Sequence, residues 1–523
     1  MRQFIQRHAA STIGVLSGFD RVRFRGTLRW LASLQGLTSF LWNARVLLKD
    51  FKEYAQQITR RVTEASEHLA EAAGRKVIYV PSPNVDKEQM IDRLQAECDE
   101  PVVGLIAVLS CVESCFTYFV HRSRERQKLE LRGGDGRCLH HYFYLRDPDF
   151  GRMHIRLQTW FPFNVHIGIN GREWLAGQLD KEGIGYRRRD NTFIAVDNVA
   201  RAQELLDAQV RIDWPARLEA LLRQVHPSHE QTFADLPIPY YWSAEQTEWA
   251  SDVMFRSPGA LAGVYPGLVR QAVQTFQSGD VLRFLGQKTT TKGQVSGNFR
   301  GEVTSDLATR LEGVRVKHRL GRNSLKMYDK QGSVLRIETT INDARGLKAW
   351  RPAEGDPEGA RSWRRLRKGV ADMVRLAELS QASNERYLEA QAGAASGTPL
   401  GQAAASLCRP VRKATLRARA LNPLAEEDAA LLESVARGEF AMSGFRNRDI
   451  RSLLHGAEPE EKTERKRQSA AVTRRLRLLV AHRLIRKVPH THRYVLTSTG
   501  RRTLPALISA RQADATRLAQ LAG

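Results

Sequence analysis

The sequence lacks several features that would assign a chain to a familiar class at once. It has no phosphate-binding loop of the Gly-x-x-x-x-Gly-Lys type and no internal repeat, so neither ATP use nor a repeat architecture is expected. The N-terminus has no apolar signal segment, and the longest apolar run, Val102–Val112, is too short to span a bilayer. We therefore expect a protein without a membrane partner.

Cysteine is also scarce. The five cysteines are Cys98, Cys111, Cys115, Cys138 and Cys408. Their spacing matches no disulfide framework, and Cys111 and Cys115, four residues apart in an apolar strand-like run, do not form a standard zinc pair. This usage of cysteine fits a reducing, cytoplasmic environment.

Positive charge is what the sequence has in excess. It contains 81 Lys and Arg against 57 Asp and Glu, a net charge of +24 that is spread along the chain and comes mainly from arginine. Such a field attracts a polyanion, with nucleic acid the first candidate and a membrane surface the second. A GC-rich genome that favours arginine codons is the alternative explanation. If the ligand is DNA, the cytoplasmic protein would associate with the nucleoid.

Hydrophobic periodicity predicts an α/β (α+β) multidomain chain with mixed or antiparallel sheets and flanking helices. The expected segments are an N-terminal α/β domain (1–125), a second α/β unit (126–230), a helical segment with a central meander and a basic helix (231–389), a linker (390–424) and a C-terminal module (425–523). Within them we expect two strands in Thr12–Arg29, a helix at Ser243–Phe255 and a basic helix at Trp363–Asn384.

The central meander, Gly313–Asn342, has the clearest strand pattern. Apolar residues alternate in Val314–Leu320 and in Val334–Ile341, and Ser324–Tyr328 reads as a third strand between them. One face of this sheet is expected to be apolar. The other face is expected to carry Arg315, Lys317, Arg319, Lys326, Tyr328, Arg336 and Glu338. A face that mixes basic groups, a phenol and carboxylates suits a site that acts on a phosphodiester.

The segments Tyr328-Asp329-Lys330 and Leu335-Arg336-Ile337-Glu338 resemble the Tyr-x-Lys and Leu-Arg-x-Glu strands of rolling-circle replication initiators from plasmids and filamentous phages. The resemblance implies that Tyr328 is a nucleophile whose pKa is lowered by Lys330 or Lys326. It also implies that Arg336 pairs with a phosphate. Glu338, together with Asp306 or Glu302, would then hold Mg²⁺ or Mn²⁺.

Other observations leave a structural alternative open. The paired histidines of many initiators are missing, because His140 and His141 are adjacent and would point to opposite faces of a strand. An Arg–Glu pair between strands and a tyrosine on a sheet also occur without catalysis. Asp20 and Glu113, near strand ends, are either carboxylates of a nuclease-type metal site or ordinary caps and turns.

The C-terminal module is expected to contain helices at Glu426–Gly438, Arg448–His455 (with Asn447 as N-cap) and Ser469–His482. Then follow Leu484-Ile485, Arg486-Lys487 and the segment Tyr494–Arg501, which reads Tyr-Val-Leu-Thr-Ser-Thr-Gly-Arg. This order resembles the winged helix-turn-helix modules of bacterial regulators. The loop Gly456–Gln468 is longer than usual and could splay the second and third helices.

The resemblance implies that the third helix enters the major groove and that the wing contacts phosphates or the minor groove. The groove-facing residues would be Thr473, Arg474, Arg475 and Arg477, and the wing residues Arg486, Lys487, His490, His492 and Arg493. From Phe445 to Arg502 there are 16 Lys/Arg against 5 Asp/Glu, which favours DNA over a protein partner. Arg315, Lys317 and Arg319 would add contacts from the central sheet.

The whole chain resembles uncharacterised bacterial proteins that travel with mobile elements. Three classes of function therefore stay open: an initiator or transposase-like nuclease that cuts with the central sheet, a DNA-binding regulator without catalysis, and a protein that holds a structured RNA. Metal-dependent cleavage, an operator without cleavage, or a co-purifying RNA would separate them.

Overall fold

The computed structural model describes residues 1–96, 103–287, 302–353, 356, 358–392, 400–413, 416–437, 439–440, 444–489 and 491–512. The chain divides into two compact units. The first, here called the sheet unit, contains residues 1–265 and 281–389, and the second, the C-terminal unit, contains residues 266–280 and 390–523. In the described ranges, no helix has the length and apolar character needed to cross a bilayer.

The sheet unit is built on a mixed sheet of 11 strands. The strands of this unit are β1 (Thr12–Leu28), β2 (Val77–Val80), β3 (Gly104–Ser123), β4 (Lys128–Asp147), β5 (Gly151–Gln158), β6 (Val165–Asn170), β7 (Tyr186–Arg189), β8 (Thr192–Val196), β9 (Tyr240–Phe255), β10 (Val303–Arg310), β11 (Gly313–Leu320), β12 (Asn323–Lys330), β13 (Val334–Ile341), β14 (Lys348–Arg351) and β15 (Ser362–Arg365). The order in the large sheet is β10-β11-β12-β13-β9-β1-β6-β5-β4-β3-β2, and β7-β8 and β14-β15 form separate pairs. The pairs are antiparallel except for β2 and β3, which are parallel.

The helices up to residue 391 are α1 (Arg2–Arg7), α2 (Leu34–Asn43), α3 (Phe51–Ala72), α4 (Lys87–Ala96), α5 (Gly171–Lys181), α6 (Val199–Gln209), α7 (Trp214–Val225), α8 (Ser228–Thr232), α9 (Pro258–Gln274), α10 (Ser278–Phe284) and α11 (Met373–Gln391), with short 3-10 helices at Leu48–Asp50 and Val370–Asp372. The mixed α/β fold class is thus confirmed. Strands from the segments 1–125, 126–230 and 231–389 all lie in the one large sheet, so these segments share a unit.

β1 is one continuous strand, although two strands with a turn were expected in Thr12–Arg29. Its register against β9 skips one residue between Phe19 and Arg21, so Asp20 is the extra residue of a β-bulge. The polar segment around Asp20 was misread as a turn because a bulge interrupts alternation without ending the strand. The bulge brings Asp20 and Arg21 opposite the single residue Glu248.

β9 is the largest correction to the expected elements, because Ser243–Phe255 was predicted to be a helix. The segment instead pairs with β1 on one side and with β13 on the other. A strand flanked on both sides and buried along most of its length need not alternate cleanly, so its sequence pattern resembles that of a buried helix.

The expected meander is confirmed as β11, β12 and β13, and the register puts Lys317 beside Lys326 and Lys326 beside Glu338, on one face. β13 is buried along its whole length, whereas a half-buried strand was expected. Helix α11 covers the opposite face, where the Asn384 amide donates to the carbonyl of Ile337 at 3.0 Å. This helix begins at Met373, ten residues later than expected, because Ser362–Arg365 forms β15 instead.

The C-terminal unit contains a three-helix core and a small sheet. Its elements after residue 391 are α12 (Leu400–Ala405), β16 (Val411–Lys413), β17 (Leu416–Ala418), α13 (Glu426–Val435), β18 (Phe445–Arg446), α14 (Asn447–His455), α15 (Lys462–Ala481), β19 (Ile485–Lys487), β20 (Arg493–Leu496) and α16 (Ser498–Gln512). The sheet order is β18-β20-β19. The expected linker 390–424 thus contains α12 and the β16-β17 pair, and its residues 393–399 and 414–415 lie outside the described residues.

Three details of this unit differ from the sequence-based expectation. Asn447 is the first helical residue of α14, and Arg446 precedes it as the N-cap. The loop expected at Gly456–Gln468 is shorter than predicted, because α15 already begins at Lys462. Residues 456–461 alone therefore join α14 to α15. Gly500 does not end the wing but lies inside α16, where a Cβ would come within 2.1 Å of the Leu484 carbonyl oxygen, so only glycine allows this close approach.

Candidate functional site

Arg336 lies at the centre of a buried ionic network that joins three neighbouring strands. Its guanidinium donates to both carboxylate oxygens of Asp252 on β9, at 2.6 and 2.7 Å, and to Asp20 on β1 at 2.8 Å. Arg172, which is also fully buried, lies 3.1 Å from Asp252. Two cations therefore balance two carboxylates. Arg336 is not available to a phosphate, which corrects the role expected for it.

The charges of this network decide the ionisation of Asp20. Burial by itself would raise the pKa of Asp20, but the positive charges of Arg336, Lys330 and Arg172 outweigh burial and hold the pKa below its usual value. Lys330 is partly buried, and its ammonium donates to the Asn191 carbonyl at 3.4 Å. Lys330 therefore acts on Asp20 rather than on a tyrosine.

Tyr328 is buried against Glu338. Its hydroxyl donates to one carboxylate oxygen of Glu338 at 2.7 Å, and the Lys326 ammonium donates to the other at 2.5 Å. Burial and then the negative charge of Glu338 raise the pKa of Tyr328 well above its ordinary value. A nucleophilic phenolate needs the opposite shift, so these surroundings do not favour the role expected for Tyr328.

The expected metal ligands Asp306 and Glu302 do not approach Glu338. Asp306 lies on β10, three strands away, which is roughly 14 Å at the spacing of neighbouring strands. It forms ion pairs with Arg319 at 3.0 Å and Arg315 at 3.5 Å. Glu302 is exposed just before β10. Asp306 is therefore too far from Glu338 to share a metal ion with it, and the role expected for Glu338 stays a prediction.

The residues that do meet Glu338 are Asp20 and Glu248. One carboxylate oxygen from each of the three lies within 4.8 Å of the others. They come from β1, β9 and β13, which are neighbours in the large sheet, and the bulge at Asp20 turns its side chain toward this face. Asp20 was a candidate from the sequence, whereas Glu248 was missed because its segment was predicted to be a helix.

Glu248 is the unbalanced member of this carboxylate cluster (Asp20, Glu248 and Glu338). Gln246 donates to it at 3.0 Å, but no ion pair to Glu248 occurs among the described residues. Burial and then the charge of Glu338 raise the pKa of Glu248. A divalent cation held by carboxylate oxygens, as Mg²⁺ or Mn²⁺ commonly is, would offset this repulsion, so the three residues fit such an ion.

Basic side chains surround the carboxylate cluster on the same face of the sheet. Arg21 is in register with Glu248, and both Arg21 and Arg23 are exposed. Lys317, on β11, is in register with Lys326. Arg319 follows two residues later on the same face of β11, and its side chain is exposed. A polyanion that reached the carboxylates would therefore meet positive charge on both sides.

In the C-terminal unit, the expected groove-facing residues have different environments. Arg474 and Arg477 are exposed on α15, whereas Arg475 is half-buried and lies 3.7 Å from Glu427. Thr473 donates to the Ser469 carbonyl at 2.8 Å and accepts from the Asn447 amide at 2.9 Å. Thr473 therefore connects α14 to α15, which corrects its expected role as a groove-reading residue.

The expected wing residues are mostly accessible. Arg486 and Lys487 on β19 and His492 after the turn are exposed, and Arg493 on β20 is partly buried. His490 lies outside the described residues. The exposed cations of β19 and α15 belong to the same compact unit, whose core includes Val472, Leu476 and Ile485.

Comparisons of the chain with protein-family models, with curated proteins and with solved structures found no match.

Proposed function

We propose that the protein binds DNA through its C-terminal unit, in the manner of a winged helix-turn-helix. The observation that carries the proposal is the combination of three packed helices with the β18-β20-β19 sheet, on which arginine side chains remain exposed. The contact between α14 and α15 supports it further, since the Asn447 side chain on α14 donates to Thr473 on α15 at 2.9 Å and so holds two consecutive helices together, as in a helix-turn-helix.

The contacts follow from the spacing of the exposed residues. Arg474 and Arg477 are three residues apart on α15 and therefore lie on one side of the helix, where they can reach base edges or phosphates in a major groove. Arg486 and Lys487 on β19 would contact the sugar–phosphate backbone. Contacts of the second kind give affinity without sequence information, and they make binding depend on salt.

The test is DNA binding by the full-length chain, measured by fluorescence anisotropy on fragments from the flanks of its own gene and on unrelated fragments. The Arg474→Ala/Arg477→Ala variant should weaken binding by at least tenfold and reduce discrimination between fragments. Arg511→Ala is the matched control. Arg511 lies on α16, outside the expected DNA-contacting residues, and it pairs with Glu433 of α13 at 3.0 Å. Equal affinities for all three proteins would contradict the proposal.

DNA binding, together with an assay for cleavage and an inspection of the purified protein for RNA, separates a regulator from an RNA-binding protein. A preference for one flanking fragment without any cleavage would favour a regulator. A discrete RNA that co-purifies with the protein, and that competes with DNA, would favour the RNA-binding alternative.

The carboxylate cluster supports a second function, metal-dependent cleavage of a phosphodiester, as in an initiator or transposase-like enzyme. The specific observation is Glu248, a half-buried carboxylate beside Glu338 that forms no ion pair in the described part of the chain and whose pKa is raised by burial and by the charge of Glu338. Asp20, Glu248 and Glu338 would hold Mg²⁺ or Mn²⁺, which when bound would polarise the phosphate and activate water.

The remaining residues of the sheet would bind and orient. Arg21, Arg23 and Arg319 would hold the nucleic acid backbone next to the cluster. Arg336 would fix the side chain of Asp20, and Lys326 and Tyr328 together would fix that of Glu338. Tyr328 would therefore position a ligand and form no bond to DNA.

Cleavage is tested with supercoiled plasmid that carries the native flanks, in the presence of Mg²⁺ or Mn²⁺. The wild-type protein should nick the plasmid without becoming covalently attached to DNA. Glu248→Gln should abolish nicking, whereas Tyr328→Phe should retain most of it. Glu302→Gln, at an exposed position, is the control. An intact plasmid with every protein would exclude cleavage, and a covalent adduct lost in Tyr328→Phe would restore the tyrosine as nucleophile.

A further inference from the structure

A second cluster of potential ligands lies on the long β3-β4 hairpin, away from the carboxylates. The register pairs Glu113 with Cys138, Cys115 with Gly136 and Cys111 with His140. Residues two apart on a strand point to the same face, so Cys115, Cys138 and His140 share one face. One ligand atom from each of the three lies within 4.8 Å of the others.

The two cysteines are close to each other but are not joined by a disulfide. Their sulfur atoms are 2.8 Å apart, which exceeds the S–S bond length of about 2.05 Å. The register makes them diagonal neighbours, whose Cα atoms are about 7–8 Å apart, at or beyond the limit that a disulfide spans. In a tetrahedral zinc site the sulfur atoms would be about 3.8 Å apart, so they would separate by about 1 Å on binding.

His140 already has the orientation of a metal ligand. Its Nδ1 lies 3.1 Å from the backbone carbonyl oxygen of Cys138. An Nδ1–H bond to a carbonyl fixes the tautomer in which Nε2 carries a lone pair, and this is the usual support of a ligating histidine. With Nδ1–H donating to this carbonyl, the lone pair of Nε2 is the one that His140 can offer to a metal.

Next to these ligands is a pocket that also contains polar groups without a full set of partners. It is lined by Arg25, Ser114, Cys115, Phe116, His140, Arg156, Gln158, Asn164 and His166. Asn164 is buried, with 6% of its surface exposed, and its Oδ1 has no hydrogen-bond partner among the described residues. Buried acceptors normally accept a hydrogen bond, and water bound to a metal in the pocket would donate one.

We propose that Cys115, Cys138 and His140 bind one zinc ion and that its fourth coordination position opens into this pocket. Two thiolates and an imidazole form a soft ligand set that suits zinc better than magnesium or manganese. Three protein ligands with one open position are the pattern of zinc sites that bind an exchangeable ligand. Since Arg25 and Arg156 line the pocket, the fourth ligand would be water or a small anion such as phosphate.

The test is the metal content of the full-length protein purified without chelator, measured by inductively coupled plasma mass spectrometry. We expect one zinc per chain, lost in Cys115→Ser and in Cys138→Ser. Cys111→Ser is the matched control, because Cys111 lies on the same strand and faces His140 across the ladder, but its sulfur is not in the cluster. That control should keep its zinc.

Cobalt substitution provides a readout that does not depend on the stability of the variants. Co²⁺ in the wild-type protein should give thiolate charge-transfer bands and the intense visible bands of a tetrahedral site, and inorganic phosphate should shift the visible bands. Cys138→His should retain cobalt with a weaker charge-transfer band, since one thiolate remains. A protein without zinc that fails to take up cobalt after reduction, a Cys115–Cys138 disulfide, or another metal at the same stoichiometry would overturn the proposal.

Discussion

Two arginines of the sheet unit and two of the C-terminal unit differ in their exposure to solvent. In the sheet unit Arg336 and Arg172 are fully buried, and their charges are neutralised by Asp20 and Asp252. In the C-terminal unit Arg474 and Arg477 are exposed on a helix. The charges of Arg336 and Arg172 are therefore neutralised inside the fold, whereas Arg474 and Arg477 remain accessible to a ligand.

The difference shows what a net charge of +24 does and does not indicate. A buried arginine contributes to the formal charge, yet its field is cancelled locally by its carboxylate partners. An exposed arginine contributes to the field that a polyanion meets. Exposure, and not the count of basic residues, therefore locates the candidate nucleic-acid surface.

Among the substitutions that compare buried with exposed arginines, Arg336→Met should have the largest effect on the free energy of unfolding. The substitution leaves Asp20 with no guanidinium partner at 2.8 Å and removes the two bonds to Asp252. Loss of one partner from a buried ion pair costs about 3–5 kcal/mol, so the free energy of unfolding should fall by that amount. It can be measured by urea denaturation with tryptophan fluorescence, since all nine tryptophans lie in the sheet unit.

Arg319→Met is the control for that measurement. Arg319 is exposed and pairs with Asp306 at 3.0 Å near the edge of the same sheet, so its loss should cost less than about 1 kcal/mol. Similar losses for the two variants would show that burial does not separate these arginines.

A smaller effect is expected from pH. Burial lowers the pKa of His226 to about 3 and, in spite of the nearby Asp306, the pKa of His318 to about 4. The unfolded chain takes up protons at these residues below about pH 6.5, whereas the folded chain does not, so stability falls as the pH decreases from about 6.5 to about 4. At pH 5 each residue should cost roughly 2 kcal/mol, measured as a lower urea midpoint of tryptophan fluorescence.

The two units should differ in this pH range. In the C-terminal unit, the hydrogen bond from Arg419 lowers the pKa of Asp428, so the stability that Asp428 contributes is kept until the pH falls below the ordinary range of a carboxyl group. His318→Gln should reduce the loss of sheet-unit stability between pH 7 and pH 5 by roughly 2 kcal/mol, the contribution of this one histidine. An unchanged slope in that variant would contradict the assignment to His318.

The smallest expected effect concerns the C-terminal unit, where Thr473, which contacts Asn447, is compared with the exposed Arg474 and Arg477. Thr473→Val removes the hydrogen bond that Thr473 accepts from Asn447 and should lower the stability of this unit by about 1 kcal/mol. DNA affinity below the unfolding temperature should stay within twofold of wild type, in contrast to the Arg474→Ala/Arg477→Ala variant. A tenfold weaker affinity would return Thr473 to the groove-facing set.

Local sequence patterns were sufficient for some elements of the fold. The alternation in Val314–Leu320 and Val334–Ile341 predicted β11 and β13. The apolar spacing in Ser469–His482 predicts one buried face with Val472, Leu476, Leu479 and Val480, and the structure buries the first three but leaves Val480 exposed. The same rules failed for β9, because the polar residues Glu245, Gln246 and Glu248 interrupt its alternation, and its register against β1 skips Glu245 between Ala244 and Gln246.

The candidate sites were less accessible to such rules. Tyr328, Arg336 and Glu338 were singled out correctly as neighbours, but their protonation and pairing depend on Asp20 and Asp252, which come from β1 and β9. The proposed zinc ligands Cys115 and His140 are 25 positions apart, and only the register of the β3-β4 hairpin brings them to one face.

The sequence by itself determined the excess of positive charge, the alternating strands of the meander and the amphipathic character of α15, because these properties are local or additive. Only the tertiary structure decided which charges are buried and which carboxylates meet. The order β13-β9-β1 places Glu338, Glu248 and Asp20 side by side although more than 300 residues separate the first from the last. Such contacts depend on strand order and register, and no periodicity within a single segment encodes them.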